Sequence, residues 1–306
     1  MTIKPDMHYD VAIVGAGPAG LQAALVLART RKKLIVFDSP EPPRNSASHG
    51  VHNFLGLDGL LPAEIREQAW RQIDVYHSAA LCSERIVAIQ PGPHHAFSIR
   101  GENGTSITAS QVILAVGFHD IYPNIPGFMA CWGSTIIPCP FCDGYENRDR
   151  MWGLVASSAL ALEHMPGIVK NWTATFRLIV PPSLELNAAQ RERFMQENIP
   201  VYEGEIVEVH HTSGVVEAAT LNTGGRVDVE TLWWIPATEP AALTRQIIER
   251  FSLELDENGA IKTNVTYQTP IKGLWVVGDL RGPSGSLSAA HTANQAAINI
   301  VREWHG

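Results

Sequence analysis

Residues 138–146 read Pro-Cys-Pro-Phe-Cys-Asp-Gly-Tyr-Glu, and the reactive candidates in this stretch are Cys139, Cys142 and Asp143. Two intervening residues let both thiols share one turn, so the pair can form a disulfide. Such a pair can also lower the pKa of one thiol, above all at a helix N-terminus. Asp143 follows directly, where a carboxyl can give a proton to a leaving thiolate or take one from a thiol. A CxxC pair can also belong to a zinc site, but zinc wants a second pair of Cys or His ligands. Cys131 and His119 are near in sequence but match no zinc spacing, so no metal is expected. Packing of two core cysteines is the plain alternative. Cys82 and Cys131 stand alone and read as structural.

A redox pair needs an electron carrier, and the N-terminal segment has the pattern for one. Residues 9–14 are a short apolar run, residues 21–30 are helix formers and residues 33–38 are a second apolar run, together a βαβ unit. At its first turn Gly15, Gly17, Pro18, Ala19 and Gly20 set the spacing GxGxxG. The first glycine permits the tight turn, the second lets the backbone approach a pyrophosphate, and the third lets helix and strand pack closely. The phosphates would face the helix N-terminus. Asp38 closes the second strand, 18 residues after Gly20, where a carboxylate accepts hydrogen bonds from a ribose and disfavours a 2'-phosphate. FAD or NAD therefore fits better than NADP at this turn. A generic glycine-rich turn is the plain alternative.

Two later strands favour FAD. Residues 111–117 end in Ala115-Val116-Gly117, and residues 274–279 end in Gly278-Asp279, a carboxylate placed to bind ribityl hydroxyls. The run from Ser286 to Ile300 reads as a helix whose first turn, Ser286, Leu287 and Ser288, can sit beside an isoalloxazine. The fold class is thus α/β: two Rossmann-like three-layer domains, the second inserted in the first. The first domain takes residues 1–120 and 241–306, the insert residues 121–240, with hinges near Pro123, Pro126 and Gly127 and near Pro236 and Pro240.

The length of 306 residues suits two domains. A composition of 45% hydrophobic and 18% charged residues is that of a globular protein. A formal net charge of -8 leaves no basic surplus for phosphate backbones, so no nucleic-acid partner is expected. No stretch approaches the ~20 apolar residues of a membrane helix, and the polar start MTIKPDMHYD is unlike a signal peptide. A cytoplasmic protein is expected, where a CxxC pair reads as catalytic.

In order and spacing these motifs resemble the low-molecular-weight thioredoxin reductase family over nearly the whole chain. That resemblance implies FAD in a split domain, an insert that normally binds NADPH and carries the CxxC, and a homodimer. It assigns Cys142 to exchange with the flavin, Cys139 to attack the external disulfide, and Asp143 as acid/base. The Cys-Pro-x-Cys form followed by Gly-Tyr-Glu resembles the gliotoxin-type dithiol oxidases, which often carry His where this chain has Asp143. The segment from Arg44 and Asn45 to Gly56 resembles that subset too, with His49 and His52 in the stretch that approaches the flavin; loop packing is the plain reading of both histidines.

The insert departs from the family. Its glycine turn falls at residues 152–164, where Ala156, Ser158 and Ala161 take the three special positions, so both leading glycines are gone. The strand at 175–180 ends in Val180-Pro181-Pro182-Ser183, without the basic cluster that grips a 2'-phosphate. Ordinary NADPH binding is therefore not expected. Family members without that grip use a ferredoxin-type donor or a second flavin, and here a second FAD would stand in place of NADPH. Trp132, Trp152, Trp172, Trp233 and Trp234 are candidates to stack on it, with core packing the plainer reading. The leading expectation is a FAD-dependent oxidoreductase acting on a protein or small-molecule disulfide. A dithiol oxidase passing electrons to oxygen is the alternative, and a non-catalytic flavin sensor a third reading, disfavoured by the intact Cys-Pro-Phe-Cys-Asp.

Overall fold

Near-continuous apolar runs with β-branched residues form strands covered on both faces, and in this chain they alternate with helices. The computed structural model describes residues 7–282 and 285–304. Along the chain come β1 (Met7–Val14), α1 (Pro18–Ala28), β2 (Leu34–Asp38), α2 (Pro62–Asp74), β3 (Ala79–Ser83), β4 (Ile86–Pro91), β5 (Phe97–Gly101), β6 (Ser106–Leu114) and β7 (Phe118–Ile121). Then follow α3 (Phe128–Cys131), β8 (Ile136–Ile137), α4 (Pro140–Asp143), β9 (Trp152–Val155), α5 (Ala159–Ile168), β10 (Phe176–Val180) and α6 (Ala188–Gln196). The chain continues through β11 (Val201–Glu203), β12 (Ile206–Thr212), β13 (Val215–Leu221), β14 (Arg226–Asp228), β15 (Thr231–Trp234) and β16 (Ala237–Pro240). It closes with α7 (Ala242–Phe251), β17 (Leu274–Val276) and α8 (Gly285–Glu303).

The chain forms two compact units. The first holds residues up to Ser46, Pro62–His119 and Thr238 onward; the second holds Ala47–Leu61 and Asp120–Ala237. The sequence boundaries, 1–120 and 241–306 around 121–240, leave residues 47–61 with the first unit, whereas they cluster with the second. The short strands β7 and β16 pair with each other.

In the first unit a seven-stranded sheet runs β3-β2-β1-β6-β5-β4, with β17 also on β6. β1, β2, β3, β6 and β17 are parallel, and β4 and β5 add an antiparallel edge. The alanine face of α1 (Ala19, Ala23, Ala24, Ala28) and that of α8 (Ala289, Ala293, Ala296, Ala297) meet in one core over this sheet. Small side chains bring the helices close. The other face packs Ile35, Phe37, Ile99 and Leu114 against Leu243 and Ile247 of α7. Truncating a fully buried side chain such as Ile13 to Ala would cost about 2–5 kcal/mol.

In the second unit the sheet β11-β10-β9-β15-β8 is parallel throughout. Leu162, Met165 and Phe194 of α5 and α6 cover one face. The antiparallel meander β12-β13-β14 covers the other through Val209, Val216 and Val227. Both units therefore have three layers and a Rossmann-type parallel sheet.

Candidate active site

β8 leads into the dithiol. Cys139 is extended (φ -141, ψ 114) and stands at the N-cap of α4, with Pro140 in the first helical position, where its fixed φ suits a helix start. Both cysteines are free thiols and half-buried. The two are inequivalent. The thiol of Cys142 donates to Cys139, and the main-chain N–H groups of Cys142 and Phe141 add to that support. Against burial and the Asp143 charge, these bonds bring Cys139 down to about 7. Cys142 is pushed up by donating that bond, by its burial and by the Cys139 and Asp143 charges. Of the two thiols Cys139 is the more readily ionised and therefore the readier nucleophile. Asp143 is raised to about 6, first by burial and then by Glu146, with His52 acting in the opposite sense.

Several residues outside the motif hold this turn. Asn147, 2% exposed, donates through Nδ2 to the carbonyls of Ser134 (2.9 Å) and Asp143 (3.0 Å). Its Oδ1 accepts from Arg150 (3.1 Å) and Thr231 (3.1 Å), and its carbonyl accepts from the Trp152 indole (2.8 Å). One buried amide thus ties the end of α4 to β9 and β15 with its polar groups satisfied. Gly144 lies against Trp172, where a Cβ would meet the indole at 2.8 Å. Phe141 packs edge-on against Trp172 (5.3 Å), and Trp172 stacks on Trp152 (6.3 Å). From the segment 47–61, Asn53 donates to the Phe141 carbonyl and His52 lies 3.6 Å from Glu146. Sequence reading missed Asn147, Trp172's supporting role and Asn53. The pattern carries no signal for Asn147 beyond a polar residue following the dithiol.

In the first unit a tight glycine turn joins β1 to α1. Gly15 has φ +105, and a Cβ there would strike the Ala115 carbonyl; a Cβ on Gly20 would strike that of Gly15. Gly17 is the N-cap of α1, with no side-chain cap and nothing within 4 Å of a would-be Cβ. Pro18 opens the helix and Ala19 faces Gly278, whose own Cβ would lie 3.0 Å from it. Ala115 donates to Val14 (2.8 Å), and Gly117, at φ +65, has open space beside it. Gly278 donates to the Thr292 hydroxyl (2.9 Å), and Arg44 lies 3.4 Å from Asp279. Asp38 accepts from the Ala16 N–H (3.1 Å) and pairs with Arg66, which also donates to the Ala16 carbonyl (3.0 Å). Arg66 and Thr292 were not singled out in the sequence. Asn45 and Ser286 are half-buried; Leu287 and Ser288, in the first turn of α8, are exposed. His49 is exposed, on the segment that clusters with the second unit.

These features fit FAD. The helix N-terminus at Gly17 is uncapped and clear, as a pyrophosphate requires. Asp38 ends β2 and Asp279 follows just after β17, at the carboxyl ends of two strands of one sheet, as ribose and ribityl hydroxyls require.

The corresponding turn of the second unit is closed. Ser158 is the N-cap of α5, and its hydroxyl accepts from the Ala161 N–H at 3.1 Å. β10 runs into Pro181, whose carbonyl accepts from Leu184 (2.9 Å) in a turn without a basic residue. Nearby cations are already paired. Arg193 contacts Glu163 (3.2 Å) and Glu197 (3.0 Å), Lys170 contacts Glu197 (3.3 Å), and Arg191 binds Glu203 through both guanidinium nitrogens. The named tryptophans pack internally. Trp132 stacks on Phe128 (5.4 Å), Trp234 meets Phe128 edge-on (5.2 Å), and Trp152 and Trp233 are buried.

A dinucleotide cradle on one Rossmann-type unit and an acid-flanked dithiol on another define a thioredoxin reductase-like disulfide oxidoreductase. The family model for pyridine nucleotide-disulphide oxidoreductases matches residues 9–150 and 177–297, and the chain belongs to that family. The unmatched interval contains β9, the Ser158 turn and α5. A probable thioredoxin reductase of Arthroderma benhamiae is 34% identical over 158 residues, 50% of this chain and 39% of that protein. A thioredoxin reductase of Claviceps purpurea is 29% identical over 305 residues, 95% of this chain and 84% of that one. The crystal structure of a putative thioredoxin reductase of Bacillus anthracis superposes with a TM-score of 0.88 at 29% identity, covering 97% of this chain and 98% of that one. The chain is a flavin disulfide oxidoreductase, and its family implies FAD. Among the described residues no helix is long and apolar enough to cross a membrane.

Proposed function

We propose that the enzyme exchanges electrons between FAD and the Cys139–Cys142 pair, passes them to or from a protein or small-molecule disulfide, and does not use NADPH. The observation that carries the last part is the Ser158 hydroxyl on the Ala161 N–H, at the place where a pyrophosphate would sit. The paired arginines of α6 and the proline-rich end of β10 support it.

FAD, when bound, supplies a two-electron acceptor and donor. The protein's own groups handle the sulfur and proton chemistry. The Cys139 thiolate attacks an external disulfide sulfur, forming a mixed disulfide and releasing one substrate thiolate; Cys142, giving up its proton, then attacks the Cys139 sulfur, closing the Cys139–Cys142 disulfide and releasing the second substrate thiolate. Asp143, held near 6 by burial, can take that proton at neutral pH and release it again. With NADPH set aside, a reduced ferredoxin-type protein is the donor we favour over a second FAD, because the tryptophans that would stack on a second flavin are engaged in the core. The dithiol-oxidase direction runs the same thiol steps in reverse, with oxygen as the final acceptor. A homodimer in the cytoplasm completes the reading.

Anaerobic titration of the holoenzyme tests it. NADPH should leave the flavin absorbance unchanged, while reduced ferredoxin should bleach it. Bleaching by NADPH within the time of a turnover would refute the reading. Bleaching by a small dithiol with rapid recovery in air, and none by ferredoxin, would select the oxidase. Cys139→Ser and Cys142→Ser should each lower turnover by at least about a thousandfold.

A further inference from the structure

Arg66 reaches the glycine turn from α2, a helix outside the βαβ unit. On α2 the side chains of Ala69, Trp70 and Ile73 pack into the core that also holds α1 and α8. Arg66 stands three, four and seven residues before them, on the same stripe of the helix, where an apolar side chain is the usual occupant. Its guanidinium is directed at two acceptors. Nη1 donates to the Ala16 carbonyl at 3.0 Å, and Nη2 donates to Asp38 Oδ2. Asp38 Oδ1 in turn accepts from the Ala16 N–H at 3.1 Å. The three residues close a ring: each polar group of Ala16 is taken by one partner, and the two partners bind each other.

The ring fixes two features that a dinucleotide meets. Asp38 is held through both carboxylate oxygens at the end of β2, and a carboxylate has about four lone-pair sites, so acceptors remain for ribose hydroxyls. The Ala16–Gly17 peptide is held by its carbonyl. A trans peptide sets its N–H opposite its C=O, so the Gly17 N–H is turned away from Arg66. An arginine near this strand can instead receive a 2'-phosphate. Here the two terminal nitrogens already face the protein's own acceptors. We propose that Arg66 is a positioning residue for the adenosine half of FAD: acting mainly through Asp38, it holds the ribose acceptor and the turn in their binding geometry before the cofactor arrives. Such preorganisation raises affinity by removing the ordering cost from the binding step. The inference rests on FAD as the cofactor and is independent of the electron donor.

Titration of the apoprotein with FAD, ADP and FMN is the test. ADP carries the adenosine ribose without the isoalloxazine, and FMN the reverse. Arg66→Gln should weaken FAD and ADP alike by about tenfold to a hundredfold, the size of a lost charge-assisted hydrogen bond, while FMN binds as it does to the native protein. Arg66→Lys keeps the charge but loses the fork, so it should recover only part of that affinity. In an Asp38→Ala background, Arg66→Gln should weaken FAD by less than about threefold more, because its main route to the ribose has gone. Loss of FMN binding in step with FAD would show a general structural role and overturn the inference. Unchanged FAD and ADP affinity in the Gln variant, or in the Lys variant should the Gln variant not fold, overturns it as well, and so does a full additional loss in the Asp38→Ala background. A native apoprotein that takes up no FAD would overturn the cofactor reading itself.

Discussion

The chain contains the same turn twice, and only one copy is open. After β1, Gly15 donates to the Phe37 carbonyl at 2.8 Å; after β9, Ala156 donates to the Ile179 carbonyl at 3.0 Å. Gly17 and Ser158 both occupy the N-cap of the following helix. The backbone plan is shared, and the side chains at the turn and at the end of the second strand separate the sites. Gly17 leaves the first N–H groups of α1 for a ligand; Ser158 uses its own oxygen on those of α5. Beyond the turn, Asp38 ends one second strand and Val180-Pro181 the other. A Rossmann turn can thus keep its packing after losing the means to hold a phosphate.

The largest expected effect is at the open turn. Gly20→Val places a side chain against the Gly15 carbonyl, and no rotamer relieves a clash with backbone. The variant should purify without flavin, read as the ratio of visible to ultraviolet absorbance. Ala161→Val at the matching position of the closed turn should leave flavin content unchanged. Equal loss in both would break the comparison.

Next in size is an attempt to reopen the second turn. Ala156→Gly with Ser158→Gly removes both obstacles but adds no charge. NADPH affinity, measured by calorimetry, should remain weaker than millimolar. Adding Pro182→Arg and Ser183→Arg should strengthen it by about tenfold to a hundredfold, since each charge-assisted bond contributes roughly 1.5–3 kcal/mol before strain and ordering costs. Tight binding from the glycines alone would show that the missing cations matter less than the cap.

Features set by a few neighbouring residues were legible in the sequence. The GxGxxG and CxxC patterns work through local geometry, and so does the loss of glycine at Ala156 and Ser158. Element ends were less clear. The strand expected at 111–117 runs from Ser106 and stops at Leu114, because Gly117 turns the chain at positive φ. The helix expected from residue 21 starts at Pro18, which suits a first helical position. What stayed hidden depends on residues far apart in the chain. Arg66 reaches Asp38, Thr231 reaches Asn147, and the segment 47–61 joins the dithiol unit, and no local pattern announces such pairings.

The second unit also lets the cost of a working site be compared with the benefit of a closed one. Folding raises Asp143 from an ordinary carboxylate value to about 6, so the folded protein binds the proton more tightly than the unfolded chain. Stability from this group is therefore full below pH ~4 and is lost as pH rises through about 6. Asp143→Asn should raise stability at pH 8 by about 2–3 kcal/mol, at ~1.4 kcal/mol per unit, and leave it little changed at pH 4. Urea midpoints of the holoenzyme at the two pH values would check this, and a gain equal at both would point to packing instead of charge.

The smallest effect concerns the cap that closes the second turn. Ser158→Ala removes one accepted hydrogen bond from the start of α5 and should cost about 1 kcal/mol, the usual loss at an N-cap. Gly17→Ser makes the reverse change at the open turn. A side chain there meets nothing within 4 Å, so the cofactor-free protein should be as stable as the native one or slightly more so. The same hydroxyl would occupy the N–H groups that a pyrophosphate needs, so flavin retention should fall. Denaturant melts of the apoproteins with flavin-binding titrations would separate the two consequences. If Ser158→Ala costs nothing, α5 does not depend on its own cap, and the closed turn owes its shape to the core formed by Leu162, Met165 and Phe194.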